Sequence, residues 1–389
     1  MKPKIVVLMT GGTIAHRSKK DGVAAMDFDP RALIASIGLP DVDLEFRSIF
    51  RKGSMDIVPS DWVVLAEAVA QAVALRPRGV VILHGTDTMH YTASALAFML
   101  RDLGVPVVMT GSMIPGGDSG SDAIPNLRDA VVVAAEADFA EVCIVFSADA
   151  KRTKGVIIRG CRARKVHSHA IDAFASVNVP AIGTIAGNTI VRSGLETRPR
   201  TSRQLRLAKG VDRNAILIKL TPAATPESLA RQLQGASGAV LEGTGVGHIR
   251  TDLQPVVSEF GKPTVISTQT IHGGERLGSY DVDRNILAIA NVIPAGDMNS
   301  DCALVKLMWA LGQGERVADV RSIMRADLAT RPKPATPAPE MTNGARACTM
   351  PSDPCSPMWP PWSSQLWAAE WSTQRSGAAG WSKSWATWS

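Results

Sequence analysis

Apolar and polar positions along the first half of the chain fall into blocks that predict a sheet covered by helices. Apolar, mostly β-branched runs at 5–9 and 80–83 are short enough to be buried strands. Longer stretches, such as 61–76, carry apolar residues at helical spacing behind a capping residue. This alternation of strands and helices is typical of a doubly wound, mostly parallel sheet, so we predict an α/β fold.

The same pattern continues to about residue 190 and then resumes after a gap. The further predicted strands are 105–109, 142–146, 215–220, 239–241 and 264–267, and the further predicted helices are 92–103, 126–137, 226–234 and 302–311. Residues 191–213 have little apolar periodicity and many charges. We therefore predict a large N-terminal domain over 1–190, a linker over 191–213 and a smaller C-terminal α/β domain over 214–328.

Composition changes abruptly near residue 330. Residues 330–389 contain no Val, Ile, Phe or Tyr and a single Leu, but they hold nine prolines and seven of the nine tryptophans. Such a segment cannot supply a periodic core. We therefore predict that 329–389 is a disordered or adventitious tail, and translation outside the ancestral reading frame is one explanation for its composition.

The overall composition excludes several classes of protein. With 389 residues, 45% of them hydrophobic, the chain can bury the cores of two domains. No run approaches the roughly 20 apolar residues of a membrane span, and the first apolar run is too short for a secretory signal. Five cysteines without C-x-x-C spacing fit a reducing compartment. We expect a cytoplasmic protein without a membrane partner.

The net charge of +6 is unevenly distributed along the chain. Seven basic residues and no acidic residue lie in 151–165, and seven more, against two acidic residues, lie in 192–213. A polyanionic partner is one interpretation of these stretches. We favour a basic rim of an active site followed by a solvated linker, so a nucleic-acid partner is not expected.

Two glycine-containing loops with hydroxyl side chains follow the predicted strands at 5–9 and 80–83. Residues 10–15 read TGGTIA, and residues 84–89 read HGTDTM. The carboxyl ends of parallel strands form the edge where open α/β sheets bind ligands. Two threonines and a carboxylate at that edge suggest acyl transfer by a hydroxyl nucleophile.

The candidate catalytic groups in and near these loops are two hydroxyls, a carboxylate and an amine. Thr13 and Thr86 supply the hydroxyls, and Asp87 supplies the carboxylate. A threonine hydroxyl is a poor nucleophile until a base stands beside it. A lysine whose pKa is depressed by burial among cations is a candidate base, and Lys165 lies in such a basic stretch.

Each loop also has a simpler interpretation. The glycines Gly11, Gly12 and Gly85 allow close backbone approach, but TGGT is commoner as a simple turn or phosphate loop. HGTDT can be an ordinary strand-to-helix turn in which Asp87 or Thr88 caps the helix. The residues of the loops alone leave these alternatives open.

Together, the two loops resemble the signature motifs of the bacterial-type L-asparaginase family. The resemblance runs in order over residues 1 to about 325. The further matching segments are 53–56 with Trp62, 110–113, 159–165, 242–249, 296–299 and 303–309. It implies a cytoplasmic, homodimeric or homotetrameric amidohydrolase that converts L-asparagine and water to L-aspartate and ammonia. We expect neither a cofactor nor a metal.

Carried over residue by residue, the resemblance implies a complete site. Thr13 would be the first nucleophile, while Thr86, Asp87 and Lys165 would form a constellation in which Lys165 accepts a proton through Thr86. Ser54 would bind the substrate α-carboxylate, Asp87 the α-ammonium group, and the Thr86 N–H the oxyanion. The substrate-binding residues that it implies are Gly12, Ser54, Met55, Gly85, Thr86, Asp87 and Ser112. Thr13 or Thr86 would attack the side-chain amide, and water would resolve the acyl-enzyme.

Two positions depart from the usual family pattern. Val23 stands where the family usually has a tyrosine that assists the nucleophile, and valine can neither donate nor accept a proton. Met55 stands where some members carry a glutamine that contacts substrate. The retention of activity and the choice between asparagine and glutamine therefore stay open. The family also builds its site between two subunits, with a neighbour's C-terminal domain closing it.

Two other functions stay open. Segments 159–165 and 242–248 also resemble the asparaginase-like subunit of the archaeal-type tRNA-dependent amidotransferase, which releases ammonia for glutamyl-tRNA amidation. That subunit carries an extra domain before the first motif, and we expect this domain to be absent because the motif opens at Thr10. The other alternative is a non-catalytic amino-acid-binding homologue that lost turnover with the loop tyrosine.

The histidines suggest a metal site only weakly. His167 and His169 form a His-x-His pair, which is compatible with a metal site. No acidic or thiol partner stands at ligand spacing nearby, so a surface or hydrogen-bonding role is the favoured interpretation. His84 and His248 are predicted to be structural residues in turns beside the site.

Overall fold

A computed structural model describes residues 2–19, 24–278, 280–314 and 316–327. Val23 and the predicted tail over 329–389 lie outside these residues. The strands are β1 (Lys4–Gly11), β2 (Arg17–Ser18), β3 (Ala24–Ala25), β4 (Asp43–Lys52), β5 (Gly79–Leu83), β6 (Leu100–Arg101), β7 (Val107–Thr110), β8 (Val142–Ser147), β9 (Gly155–Arg159), β10 (Ala163–Lys165), β11 (Phe174–Ser176), β12 (Gly183–Ala186), β13 (Thr189–Arg192), β14 (Arg206–Leu207), β15 (Ala215–Lys219), β16 (Gly238–Gly243), β17 (Thr264–Thr268) and β18 (Val292–Pro294). The helices are α1 (Arg31–Ser36), α2 (Pro59–Ala74), α3 (Met89–Met99), α4 (Ala123–Glu136), α5 (Pro226–Leu233), α6 (Gln254–Phe260), α7 (Asp281–Ala288), α8 (Ser300–Leu311) and α9 (Val317–Arg325).

The large sheet of the described chain has eight strands in the order β13-β12-β9-β8-β7-β5-β1-β4. Strands β4, β1, β5, β7 and β8 run parallel, and β9, β12 and β13 extend the sheet with antiparallel pairs. Every residue of β5 and β7 is buried. Apolar runs of this kind belong to parallel strands covered on both faces. The predicted α/β class with a mostly parallel sheet is therefore confirmed.

Two apolar layers cover the large sheet. One layer packs side chains of α2 and α3, including Trp62, Leu65 and Leu96, against one face. The other layer packs α1 and α4, including Leu33 and Leu127, against the opposite face. The helices thus lie on both sides of the sheet, and the strand ends at one edge stay open for the loops of the site.

A smaller parallel sheet follows in the C-terminal part, in the order β15-β16-β17-β18. Helices α5, α6 and α7 contribute to the apolar layer on one face, and α8 and α9 to the layer on the other. A second, smaller α/β unit was predicted from the sequence and is confirmed. The predicted domain and linker boundaries stay a proposal. Within the predicted linker, β13 extends to Arg192, and β14 pairs with β6.

One predicted helix ends early. The helix predicted over 92–103 begins at Met89 and ends at Met99, because Leu100 leaves the helical region with φ −91° and ψ 85°. Leu100 then pairs with Leu207 in a short antiparallel ribbon, and Asp102 adopts a φ of +57°. Leu100 and Leu103 nevertheless stay buried in the apolar layer on this face of the large sheet.

No helix among the described residues is both long and apolar enough to cross a membrane.

A buried ion pair ties the end of β9 to the chain before β8. The Arg159 Nε and Nη2 atoms donate to the two Glu141 carboxylate oxygens at 2.6 and 3.0 Å, and both side chains are almost fully buried. The Glu141 carboxylate also accepts the Arg198 N–H at 2.8 Å. Both charges are therefore compensated inside the protein.

Arg159→Met is expected to lower the free energy of unfolding by about 3–5 kcal/mol, because it leaves the Glu141 charge buried without its partner. Urea unfolding of the full chain measures this change. The matched control is Arg316→Met, which removes an exposed pair with Asp319 and should cost at most about 1 kcal/mol. Equal losses in the two variants would contradict the prediction.

Candidate active site

Four loops meet at the carboxyl edge of the large sheet. The register pairs Met9 of β1 with Leu83 of β5, and Leu83 with Thr110 of β7. Gly11 at the end of β1 pairs with Lys52 at the end of β4. The loops after β4, β1, β5 and β7 therefore lie side by side. In that order they carry Ser54, Thr13, Thr86 and Ser112.

Glycines let these loops approach one another. Gly12 has a φ of +85°, and a Cβ there would lie 2.3 Å from the Gly85 Cα atom. A Cβ at Gly85 would in turn lie 2.6 Å from the Ser54 hydroxyl oxygen. No side chain fits at these distances, so glycine is required at both positions. Three of the predicted substrate-binding residues are thereby brought together.

Lys165 joins the second loop from a separate hairpin formed by β10 and β11. Its Nζ donates to the Thr86 hydroxyl at 2.8 Å and to the Asp87 carboxylate at 2.7 Å. Thr86 is buried, whereas the Asp87 side chain is 64% exposed. The three side chains predicted to form one constellation are in direct contact.

The surroundings of Lys165 differ from the sequence expectation in one respect. Its Nζ faces a hydroxyl and a carboxylate, not the basic side chains that surround it in the sequence. The preceding residue, Arg164, pairs instead with Asp301 at 2.6 Å. Adjacent residues of β10 point to opposite sides, which separates the two cations.

Ser54 is buried and holds the second loop through two hydrogen bonds. Its hydroxyl oxygen accepts the Asp87 N–H at 3.2 Å, and its carbonyl oxygen accepts the Thr88 hydroxyl at 2.7 Å. Thr88 occupies the N-cap position of α3, as the simpler interpretation of this loop predicted, but its side chain donates to Ser54 and makes no capping bond to the helix. These two bonds place Ser54 in direct contact with the loop that carries Asp87.

Several polar groups at this edge have no hydrogen-bond partner among the described residues, and three of them belong to residues of the predicted site. These three are the half-buried Thr13 hydroxyl, the Thr86 N–H and the fully buried Ser112 hydroxyl. Buried polar groups are normally paired, so unpaired ones at a sheet edge indicate a place for a ligand. Each of the three residues was singled out from the sequence.

A buried network that the sequence did not reveal fixes the loop of Ser112. The Asp122 carboxylate accepts the N–H groups of Met113 and Ile114 at 3.0 and 2.9 Å. Asn126 donates to the same carboxylate at 2.9 Å and to the Gly111 carbonyl at 3.0 Å. An aspartate directly before a helix is typical of a helix cap. Nothing in the sequence therefore indicated that Asp122 would hold the loop of Ser112.

A second network that the sequence missed lies beside Lys165. Asp301, at the start of α8, accepts the Tyr91 hydroxyl at 2.8 Å and lies 3.3 Å from His90 Nε2. Burial alone would raise the pKa of Asp301, but His90 and Arg164 hold it below its ordinary value. Burial and Asp301 together raise the pKa of Tyr91. These residues and the Asp87–Lys165 pair border a cavity of about 440 Å³.

His84 is the first residue of the second loop and is fully buried. Its Nδ1 lies 2.7 Å from the Gly85 carbonyl oxygen. Burial lowers the pKa of His84 to about 4, although the hydrogen bond to Gly85 acts in the opposite direction. The side chain is therefore neutral near pH 7.

The free energy of unfolding is expected to fall between pH 6.5 and about pH 4 because of His84. In the unfolded chain, His84 has its ordinary pKa of 6.5 and binds a proton as the pH falls below that value. In the folded chain it binds the proton only near pH 4. This contribution is complete above pH 6.5, is lost as the pH falls through 4, and is on the order of 3 kcal/mol.

Urea unfolding at about pH 7.5 and about pH 4.5, in wild type and His84→Asn, measures this contribution. The variant should lose less stability than wild type over the same interval. An identical loss in both proteins would contradict the assignment to His84.

Met55, Val23 and the His-x-His pair were also singled out from the sequence. The Met55 side chain is exposed, and Val23 lies outside the described residues. His167 and His169 stack edge to face with ring centroids 4.5 Å apart, and His167 Nδ1 accepts two backbone N–H groups. Within the described residues, no three His, Cys, Asp or Glu side chains are grouped so that they could hold a metal ion.

Two family models match the chain. "Asparaginase, N-terminal" matches residues 4–195, and "Glutaminase/Asparaginase C-terminal domain" matches residues 214–324. An L-asparaginase of Thermococcus kodakarensis is 40% identical over 334 residues, which cover 84% of this chain and 98% of that protein. The chain belongs to the asparaginase family. The resemblance of the motifs predicted this membership, which is thereby confirmed.

Other relatives cover the same part of this asparaginase-family chain. The solved structure of the thermostable L-asparaginase from Thermococcus kodakarensis superposes with a TM-score of 0.76 and 37% identity, over 84% of this chain and 98% of its own. A glutamyl-tRNA(Gln) amidotransferase subunit of Pyrococcus abyssi is 34% identical over 86% of this chain and 78% of its own length. A structure named probable cytoplasmic L-asparaginase, from Campylobacter jejuni, has a TM-score of 0.69 and 25% identity, over 83% and 99%.

Proposed function

We propose that the protein is an L-asparaginase, which converts L-asparagine and water to L-aspartate and ammonia through a threonine acyl-enzyme. One observation carries the proposal. The Lys165 amine contacts both the Thr86 hydroxyl and the Asp87 carboxylate at the sheet edge. A hydroxyl hydrogen-bonded to an amine is the arrangement that activates a hydroxyl nucleophile or relays its proton. The relative named L-asparaginase supports the substrate.

Substrate binding is assigned to the buried rim of the site. The Ser54 hydroxyl and the N–H groups of the adjoining loops would hold the α-carboxylate, and the exposed Asp87 carboxylate would hold the α-ammonium group. Gly12 and Gly85 would let the backbone lie close to the substrate. The buried Ser112 hydroxyl, which has no partner among the described residues, would complete the binding surface.

The first chemical step is attack by the Thr13 hydroxyl on the side-chain amide carbon. In this step Lys165 is a neutral amine that accepts from the Thr86 hydroxyl, so the Thr13 proton moves through Thr86 to Nζ. A bond forms between the Thr13 oxygen and the carbon, and the electron pair of the carbonyl double bond moves to the amide oxygen. The negative charge on the amide oxygen is stabilised by the Thr86 N–H, which has no acceptor among the described residues.

The second step releases ammonia and the third regenerates the enzyme. The carbon–nitrogen bond breaks, and the leaving nitrogen takes up the proton that Lys165 holds, through the Thr86 hydroxyl, and departs as ammonia. Water then adds to the ester carbon and gives one proton to the Thr13 oxygen, which frees L-aspartate. The balance is one amide and one water consumed for one acid and one ammonia formed.

The proposal also covers assembly and location. We propose a cytoplasmic homodimer or homotetramer in which a neighbour's C-terminal domain closes each site. The relative named probable cytoplasmic L-asparaginase supports the location, and the free, buried thiols of Cys143, Cys161 and Cys302 are compatible with it. Neither a cofactor nor a metal has a part in the proposed reaction.

A second candidate function is the ammonia-supplying subunit of a glutamyl-tRNA amidotransferase. The relative from Pyrococcus abyssi, which is named as part of such an enzyme and is 34% identical over 86% of this chain, favours it. In that case the same threonine chemistry would serve a partner subunit rather than free asparagine turnover.

Ammonia release from the purified full chain, with L-asparagine and L-glutamine in parallel, tests the proposal. Release that requires asparagine and is lost in Thr13→Ala is the expected result. Release from neither substrate would contradict it. A rise in Tm with asparagine would then favour a non-catalytic binding protein, and recovery of release on adding amidotransferase partner subunits would favour the second candidate.

A further inference from the structure

The buried side chain of His84 has an unusual pattern of hydrogen bonds. His84 is fully buried, and the only hydrogen bond of its side chain among the described residues joins Nδ1 to the Gly85 carbonyl oxygen at 2.7 Å. A carbonyl oxygen can only accept, so Nδ1 carries the proton and the other ring nitrogen is an acceptor. That nitrogen, Nε2, is buried and has no partner among the described residues. An unpaired buried acceptor is unfavourable, which suggests that the bond to Gly85 has a compensating role.

The Gly85 carbonyl belongs to the same amide as the Thr86 N–H. A hydrogen bond accepted by the oxygen of an amide polarises the group and makes its N–H a stronger donor, because hydrogen bonds in a chain reinforce one another. The Thr86 N–H has no acceptor among the described residues, although Thr86 is buried. The imidazole thus acts on a peptide group whose N–H donor remains available to a ligand.

The surroundings hold this peptide in one orientation. The His84 N–H donates to the Thr110 carbonyl at 2.9 Å, and the Thr10 hydroxyl donates to the Leu83 carbonyl at 2.9 Å. Ser54 and Gly12 both lie close to Gly85 and leave no room for a side chain there. After the peptide, the Asp87 N–H donates to the Ser54 hydroxyl at 3.2 Å, so the backbone is held on both sides and the imidazole fixes the carbonyl between them.

We propose that His84 is a positioning residue, which orients and polarises the Gly85–Thr86 peptide so that its N–H stabilises the oxyanion. The inference rests on the proposed function, since it needs a reaction that develops charge on the amide oxygen. A donor that strengthens as charge develops acts on the transition state more than on the bound substrate. Loss of the His84 bond therefore lowers kcat while KM stays nearly constant.

Three variants at this position separate polarisation from packing. An asparagine carries an N–H donor at the place of the histidine Nδ1, a glutamine carries its donor one bond farther out, and a leucine carries none. Relative to wild type, His84→Leu and His84→Gln are expected to lower kcat for asparagine by about 10- to 100-fold. These variants weaken the oxyanion donor, and a weakened donor should cost less rate than a deleted one. His84→Asn should recover most of the activity, with KM within about threefold in all three.

A binding measurement distinguishes polarisation from packing, because a change in packing alone would not affect the binding of one ligand more than that of the other. L-Aspartate β-semialdehyde can form a hemiacetal with the threonine hydroxyl and so places an oxygen at the oxyanion position, whereas L-aspartate resembles the product. His84→Gln should weaken binding of the aldehyde in proportion to its loss of kcat and leave the affinity for L-aspartate nearly unchanged. If the leucine variant does not fold, the asparagine and glutamine variants still test the role of His84, and their Tm values show that they are folded.

The outcomes distinguish this inference from the proposed function. If wild type releases no ammonia from asparagine, the proposed function and the role of His84 fail together. If wild type is active and His84→Gln matches His84→Asn in kcat, only the role of His84 is overturned. Parallel losses of aldehyde and aspartate binding would equally overturn it, because they indicate a collapsed pocket.

Discussion

Lys165→Met is expected to lower kcat for asparagine hydrolysis by about 10³-fold, within the range for loss of a general acid–base group. The methionine keeps most of the length of the side chain but removes the amine that contacts Thr86 and Asp87. The fold should persist, because the Asp87 carboxylate that loses its partner is largely exposed to solvent. Steady-state kinetics and thermal melting of the full chain measure both effects.

The matched control for Lys165→Met is Lys209→Met, which removes an exposed lysine paired with Glu67. This variant should have wild-type kcat and KM. Activity of Lys165→Met within tenfold of wild type would show that the amine takes no part in proton transfer.

Thr13→Ala and Thr86→Ala are each expected to reduce kcat by about 10³-fold or more, and the double variant should be hardly worse than either, because groups that act as a unit fail together. The Thr13 hydroxyl has no partner among the described residues, so its removal should cost little stability. Thr86→Ala removes the acceptor of a Lys165 hydrogen bond but leaves its N–H in place.

Acid quenching during turnover, followed by peptide mass spectrometry, identifies the nucleophile. An aspartyl group attached to the peptide that contains Thr13 is the expected result, and it should be absent from Thr13→Ala. Attachment to the peptide of Thr86 would assign the attack to the second threonine. Near-wild-type kcat in both single variants would contradict a threonine acyl-enzyme altogether.

The parts of the fold that could be predicted are those whose strands are apolar on both faces. The runs that became β1, β5, β7 and β8 have no polar interruption, because helices cover both sides of them. Strand β4 was not predicted, since its edge position lets charged residues such as Glu45 and Arg47 alternate with apolar ones. Its parallel pairing with β1 depends on contacts that no local window contains.

The site shows the same division between local and distant information. The two threonine loops could be found because each is a compact motif directly after a strand. The basic stretch made Lys165 a candidate base, but only the family resemblance paired it with Asp87, since 78 residues separate the two. Asp301 was missed, because its bond to Tyr91 spans 210 residues and an isolated aspartate at the start of a helix reads as an ordinary first-turn charge.

The hairpin that carries Lys165 is held from the C-terminal part of the chain at several points. Arg162 donates to the Asp297 carboxylate at 2.9 Å, Arg164 pairs with Asp301 at 2.6 Å, and Asn299 lies 3.5 Å from the Ala163 carbonyl oxygen. In an engineered chimera of two relatives, segments 162–165 and 297–301 should therefore be inherited from the same parent. A crossover placed between them would combine segments from different parents, whose contacts need not match, and would misalign the Lys165 amine. This would occur even though neither segment contains a threonine of the site.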